Sequence, residues 1–104
     1  MPRTCLLALL LVVTFPVLAG AQSVSRGKSI ARAHCARCHA IGSSGRSRFK
    51  AAPPFRTLHL RYPVENLEES LAEGIVTGHP AMPEFRFEPD QVADFIAYLK
   101  SLEH

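Results

Sequence analysis

Cysteine is scarce in this chain of 104 residues, and tryptophan is absent. Of the three cysteines, Cys5 lies in an apolar run near the N-terminus, while Cys35 and Cys38 are separated by only two residues. Two thiols this close together could close one tiny loop that restrains almost nothing else. A structural disulfide framework is therefore excluded. A domain this small then needs another source of stability, such as a metal or a cofactor.

Acidic residues are absent from residues 22–64, which contain nine Lys and Arg residues. All nine Asp and Glu residues of the chain lie in residues 65–104, against only Arg86 and Lys100. The basic residues are not interleaved with aromatics that would stack on bases, so we do not expect nucleic-acid binding. Two interpretations stay open. Both halves are solvated faces, or the basic N-terminal half is a docking surface that steers an acidic partner protein.

No apolar run in the sequence is long enough to span a bilayer. Residues 5–18 form a run of about 14 residues that is broken by Pro16, whereas a membrane-spanning helix needs about 20. With Arg3 before it and Ala19-Gly20-Ala21 after it, the run is typical of a secretory signal peptide. We expect residues 1–21 to be cleaved, which leaves residues 22–104 as one exported domain, periplasmic and soluble, with no stable membrane insertion.

Alternation of apolar and polar residues with a period of two is also missing, so no strand is predicted. Three helical patterns stand out instead: residues 24–38 with Ser23 as a possible N-cap, residues 64–75, and a helix that opens at Glu88-Pro89-Asp90. Residues 55–63 add a short turn of helix. The second and third patterns each carry one apolar stripe, formed by Val64, Leu67, Leu71 and Ile75 and by Val92, Phe95, Ile96, Leu99 and Leu102.

Two long segments, residues 42–55 and residues 76–87, show no helical period. Loops of this length in a small domain are usually functional or wrapped around something. The predicted fold is therefore all-α, with about three main helices and two long loops around a bound group.

The stretch AHCARCHA, residues 33–40, suits three kinds of chemistry. A redox-active dithiol normally sits at the start of a helix that follows a strand, but this pair ends a helix and no strand precedes it. A closed zinc site normally takes four ligands, often as two pairs, but His59 and His79 are single residues. Cys-x-x-Cys-His in an exported chain favours the third, covalent attachment of haem c.

The spacing of the motif suits one porphyrin. Cys35 and Cys38 are three residues apart, so on a helical turn both sulfurs face one side and can form thioethers with two vinyl groups. His39 lies four residues after Cys35 and points the same way, which makes it the expected proximal iron ligand. Arg37 is expected near the exposed rim of the haem.

The sixth position of the iron needs a second ligand. Met82 is the only methionine after the predicted cleavage site, and it stands in a loop stiffened by Pro80 and Pro83. We expect Met82 to be the distal ligand. His79 is the rival and His59 a weaker one, and either would give a bis-histidine haem of lower potential.

Over residues 23–102 the chain resembles class I cytochrome c. The resemblance rests on GKSIARAHCARCH, on the proline loop APPF, on AMP and on DFIAYLKSL. It implies thioethers at Cys35 and Cys38, His39 as the proximal ligand and Met82 as the distal one.

The resemblance also implies how the helices meet and how the proximal histidine is held. The N- and C-terminal helices should cross closely at Gly27, with Phe95 and Tyr98 packed at the crossing. Pro53, or less well Pro54, should offer its carbonyl to the proximal histidine.

Two features depart from the family pattern. Ala31 stands where many relatives carry an aromatic residue, so Phe95 is the candidate to fill the space beside it. The chain also lacks the Trp that some relatives use to hold a haem propionate, a role for which Tyr62, His59 and Arg56 are candidates.

The predicted function is electron transfer rather than catalysis. A mono-haem cytochrome would carry single electrons between redox partner proteins, which would dock through the basic half. Two alternatives stay open: a dedicated haem subunit of a dehydrogenase complex, and a ligand-binding haem sensor or peroxidase-like enzyme.

Overall fold

A computed structural model describes residues 9–15, 22–75 and 81–104, and within these ranges the chain forms helices and no strands. The α-helices are α1 (Val24–His34), α2 (Leu67–Glu73) and α3 (Pro89–Ser101), and two short 3₁₀ helices cover Phe55–Leu60 and Val64–Asn66. The all-α prediction is confirmed. None of the described helices is long and apolar enough to cross a membrane. The predicted signal peptide falls largely outside the described residues and stays a prediction.

Helix α1 begins where the sequence predicts and ends earlier. The Ser23 hydroxyl oxygen accepts a hydrogen bond from the Arg26 amide at 3.1 Å, which caps the first turn. At the other end the carbonyl of Ala31 accepts from the amides of both Cys35 and Ala36, at 2.8 and 3.1 Å. Because two amides share one carbonyl, the regular helical ladder stops here. The prediction of a helix to residue 38 was wrong, and the cysteine motif lies in turns after α1.

Helices α1 and α3 cross at a glycine, as the family resemblance implies. A Cβ atom at Gly27 would overlap the backbone carbonyl oxygen of Asp94 and would lie 2.7 Å from the Cβ of Tyr98. Phe95 does not supply the nearest atoms at this point. Its ring packs instead against Phe55 and Phe87, at centroid distances of 5.8 and 6.0 Å.

The carboxylate of Asp94 joins α3 to the start of α1. Asp94 is buried, and its two oxygens accept hydrogen bonds from the Ser23 amide at 2.7 Å and from Arg26 Nε at 2.9 Å. The adjacent guanidinium and the hydrogen bonds lower the pKa of Asp94 below the usual value. A buried charge is therefore paired, and it holds the two terminal helices together.

The remaining elements complete one apolar core. The stripe of α3 is buried along its whole length, and Val64, Leu71 and Ile75 of the second pattern are buried with it. The amide of Glu88 donates to the side chain of Gln91 at 3.0 Å, and this contact fixes the start of α3. Helix α2 ends at Glu73 and is followed by Gly74, whose φ of +113° favours glycine.

Candidate functional site

The cysteine motif forms one further turn after α1. The amides of Cys38 and His39 both donate to the carbonyl of Cys35, at 3.1 and 2.9 Å. No disulfide joins Cys35 and Cys38, so both sulfurs are available for thioether bonds. Although the motif is not part of the helix, this turn places both cysteines and His39 on the wall of the same cavity.

This cavity has a volume of about 750 Å³. Cofactor and ligand pockets in proteins usually measure about 300–1,000 Å³. Its walls are mainly apolar and come from α2, α3, the 3₁₀ helix Phe55–Leu60 and both long loops, and they include Leu58, Leu67, Leu71, Ile75, Phe87 and Phe95. A large and mainly apolar group held between the two loops fits this space.

The imidazole of His39 is fixed by a backbone carbonyl. Nδ1 of His39 lies 2.8 Å from the carbonyl oxygen of Pro53, and the ring packs against Phe55 at a centroid distance of 4.8 Å. A carbonyl oxygen only accepts hydrogen bonds, so Nδ1 carries the proton. The lone pair of the other ring nitrogen, Nε2, is then available to bind a metal. Of the two candidate prolines, Pro53 makes this contact.

The segment that follows His39 is held on both sides. The Tyr98 hydroxyl donates to the carbonyl of Ile41 at 2.6 Å, and the amide of Phe55 donates to the carbonyl of Ala40 at 2.9 Å. The amide of Ala40 donates in turn to the Ser47 hydroxyl oxygen at 3.0 Å. Helix α3 and the first long loop therefore both orient the proximal side of the cavity.

Met82 lies on the cavity wall contributed by the second long loop. Its side chain is half-buried and packs against the core. At the base of the loop, the amide of Ile75 donates to the carbonyl of Phe85 at 2.9 Å, and the amide of Phe87 donates to the carbonyl of Leu71 at 2.8 Å. Two backbone hydrogen bonds therefore tie the ends of the segment that carries Met82.

His59 and His79 are the rival candidates for the distal iron ligand. His59 is absent from the cavity wall, and its Nδ1 atom is buried with no hydrogen-bond partner among the described residues. His79 lies outside the described residues, so its candidacy stays a prediction.

The three candidates for holding a haem propionate differ in their position relative to the cavity. Tyr62 lies on the cavity wall, whereas Arg56 and His59 do not. Arg61, which sequence reasoning did not name for this role, lies on the wall beside Tyr62. The sequence does contain a signal for Arg61. Phe55, Leu58 and Arg61 are each three residues apart, which is the period of a 3₁₀ helix, so all three lie on one face. Arg37 also lies on the wall.

Two observations concern the side chains beside the motif. Burial raises the pKa of the Cys35 thiol to about 12. A catalytic dithiol has the opposite property, because its reactivity requires a thiolate near neutral pH. The exposed His34 packs its ring against Phe85 and Phe87 at centroid distances of 5.8 and 5.4 Å. It thereby joins the end of α1 to the loop that carries Met82.

An all-helical domain with Cys-x-x-Cys-His on an apolar cavity wall defines the class of small c-type cytochromes. The sequence model described as "Cytochrome c" matches residues 24–103. The chain is similar to a "Cytochrome c-553-like" protein of Synechocystis sp., with 32% identity over 87 residues that cover 83% of this chain and 75% of that protein. No solved structure matches the chain. The chain belongs to the cytochrome c family.

Membership of this family settles the cofactor and the general role. The cofactor is haem c, attached covalently through cysteines, and Cys35 and Cys38 have the required spacing. Bound haem cycles between ferric and ferrous iron and so carries one electron. The protein is a haem electron carrier.

Proposed function

We propose that the protein is an exported carrier of single electrons whose haem iron is held by His39 and Met82. The observation that carries this proposal is the contact of 2.8 Å between Nδ1 of His39 and the Pro53 carbonyl oxygen, which requires a proton on Nδ1 and so leaves Nε2 for the iron. Among the described residues Met82 is the only methionine, and it lies on the wall of the same cavity.

The chain's own residues suit electron transfer without bond making. His39 is held in orientation by Pro53, and the loop of Met82 is tied at its base, so both side chains are positioned before the iron changes charge. Phe55, Phe87 and Phe95 keep the cavity apolar, which limits the rearrangement of solvent that accompanies a change of charge. A thioether ligand is soft and favours ferrous iron, which raises the reduction potential.

Partner recognition is proposed to be electrostatic. The loop beside the cavity exposes Arg46, Arg48 and Lys50 and contains no acidic residue. Phe49 and Ala51 of the same loop lie on the cavity wall, so these cations are close to the edge of the bound haem. An acidic redox partner would be steered to this edge, and added salt would slow the encounter.

The experiment that tests the ligand set is an absorption spectrum of the mature holoprotein, oxidised and reduced, with and without carbon monoxide. We expect a low-spin spectrum with the far-red sulfur-to-iron band and no reaction with carbon monoxide. Met82→Ala should lose the band and bind carbon monoxide.

His59→Ala and His79→Ala serve as matched controls and should leave the band intact. A wild-type protein that lacks the band, or that binds carbon monoxide readily, would refute Met82 ligation. The function would then move toward ligand sensing.

A further inference from the structure

A second depression lies on the first long loop, outside the haem cavity. Its volume is about 510 Å³, and its walls include three cationic side chains, Arg46, Lys50 and Arg56, together with Ser47. Arg48, on the same loop, is not part of its wall. None of the three cations forms an ion pair with any described residue.

Arg56 has a buried donor atom that the fold does not satisfy. Its Nη1 atom is buried and has no hydrogen-bond partner among the residues that the structure describes. An unsatisfied buried donor carries a desolvation penalty, which is larger when the group is charged. Arg56 lies on the wall of the second depression, which adjoins the haem cavity at Ala52, and it is not among the residues that line the haem cavity itself.

The remaining groups of the depression are also donors. The Ser47 oxygen already accepts a hydrogen bond from the Ala40 amide, so its own O–H remains free to donate. Arg46 and Lys50 add two further cations, and residues 22–64 contain no Asp or Glu that could serve as a local counterion. Two guanidiniums, an ammonium and a hydroxyl on the wall of one depression match an anion that accepts several hydrogen bonds.

We propose that this depression binds a small multivalent oxyanion of the inorganic phosphate type, with Arg56 as its central contact and Arg46, Lys50 and Ser47 around it. The site does not depend on the identity of the distal iron ligand. Its binding can therefore be measured whether or not Met82 coordinates the iron.

The position of the site gives it an effect on the haem. Ala52 and Pro54 line the depression, and they flank Pro53, whose carbonyl accepts the hydrogen bond from His39. A bound anion brings negative charge to the proximal side of the iron and stabilises the ferric state over the ferrous state. By linkage, the ferric protein binds the anion more tightly, and the anion lowers the reduction potential.

The first measurement is a calorimetric titration of the holoprotein with inorganic phosphate, at constant ionic strength maintained with sodium chloride. We expect saturable binding at one site. Arg56→Gln should weaken it about tenfold or more, as expected for the loss of a charge-assisted contact. Arg48→Gln removes a cation from the same loop outside the depression and should leave the affinity unchanged.

Lys50→Gln provides a second variant at an exposed position, in case Arg56→Gln fails to fold. Binding that is not saturable, or equal losses in Arg48→Gln and Arg56→Gln, would mean that phosphate only screens a diffuse positive surface, and would overturn the proposal. A poly-glutamate peptide that binds at Arg56 while phosphate does not would assign the depression to a partner's carboxylates and would also overturn it.

The second measurement is the reduction potential as a function of phosphate concentration at constant ionic strength. We expect a downward shift that saturates with the dissociation constant found by calorimetry and that is absent in Arg56→Gln. A potential that is insensitive to phosphate, although phosphate binds, would refute the coupling to the haem.

Discussion

The guanidinium of Arg86 donates two hydrogen bonds to the carbonyl oxygen of Glu73, from Nε at 3.2 Å and from Nη2 at 2.9 Å. Glu73 is the last residue of α2, where a carbonyl has no partner within the helix. The contact stands beside the two backbone hydrogen bonds at the base of the loop that carries Met82. The side chain of Arg86 therefore holds the base of this loop together, in addition to the two backbone hydrogen bonds.

Replacing Arg86 should destabilise the loop that carries Met82 more than it destabilises the whole domain. Arg86 is exposed, so Arg86→Gln removes the two hydrogen bonds without opening the core. We expect the far-red sulfur-to-iron band to disappear at a lower denaturant concentration than in the wild type, while global unfolding, followed by far-ultraviolet circular dichroism, shifts less. Lys100→Gln, which removes an exposed cation paired with Glu65, is the control and should leave both transitions nearly unchanged. Equal shifts of the two transitions in Arg86→Gln would contradict a local role.

Gly27→Ala should destabilise the protein strongly. The added methyl group would overlap the carbonyl of Asp94, which is rigid backbone of α3 and cannot move aside as a flexible side chain would. Overpacking of this kind costs about 1–3 kcal/mol, and more where the backbone must shift. The measurement is denaturant unfolding of the holoprotein. Gly42→Ala is the matched control, since a Cβ there would have no neighbour within 4 Å. Similar losses in the two variants would show that helix crossing is not the cause.

The ion pair of Asp94 and Arg26 should make stability depend on acid. The folded protein lowers the pKa of Asp94, whereas an aspartate in the unfolded chain has a pKa of about 3.9. The unfolded state thus takes up protons first, and the stabilisation is complete above about pH 4 and is lost as the pH falls through the lowered pKa. Asp94→Asn keeps an oxygen for the Ser23 amide but loses the charge, so it should be less stable than the wild type at neutral pH.

The gap in stability between the wild type and Asp94→Asn should then narrow as the pH falls from about 4 through the lowered pKa of Asp94, because below that pKa both side chains are uncharged in the folded protein. Unfolding curves collected across this range provide the measurement. Glu103→Gln, near the other end of α3, is the control, because the Glu103 carboxylate makes no hydrogen bond to a described residue. A gap that stays constant with pH would assign the loss to packing rather than to charge.

Tyr98→Phe should weaken the proximal side of the haem site. The variant keeps the buried ring but leaves the carbonyl of Ile41 without the donor that now lies 2.6 Å away. Loss of one partner of a fully buried hydrogen bond costs about 1–3 kcal/mol, and since this hydrogen bond is only partly buried, we expect a loss toward the lower end of that range. The check is denaturant unfolding together with the spectrum of the folded holoprotein. An unchanged unfolding midpoint would indicate that water replaces the hydroxyl at no cost.

The sequence predicted well those features that depend on local pattern. The stripe of α3 and the cap at Ser23 could be identified because they need only periodicity and one side-chain oxygen. The end of α1 could not be, since Ala31 shares its carbonyl between two amides, and no residue type marks such an arrangement. The cysteine motif could be identified because covalent attachment of haem requires a fixed spacing of Cys35, Cys38 and His39.

Contacts between distant residues were beyond the sequence alone. Arg86 has no local feature that points to Glu73, and Arg56 and Tyr62 were equal candidates until the fold placed only Tyr62 on the cavity wall. Pro53 and Pro54 are adjacent and chemically alike, so only the observed hydrogen bond to His39 separates them.

The clasp between Arg26 and Asp94 joins residues that are 68 positions apart. Bringing such distant segments together costs loop-closure entropy before any contact is gained, and contacts of long sequence separation slow folding. Haem bonded to Cys35 and Cys38 would offer the intervening chain an apolar surface to pack on, so the long loop could close in shorter stages. From this topology we expect that attachment of the prosthetic group before folding speeds the meeting of α1 and α3.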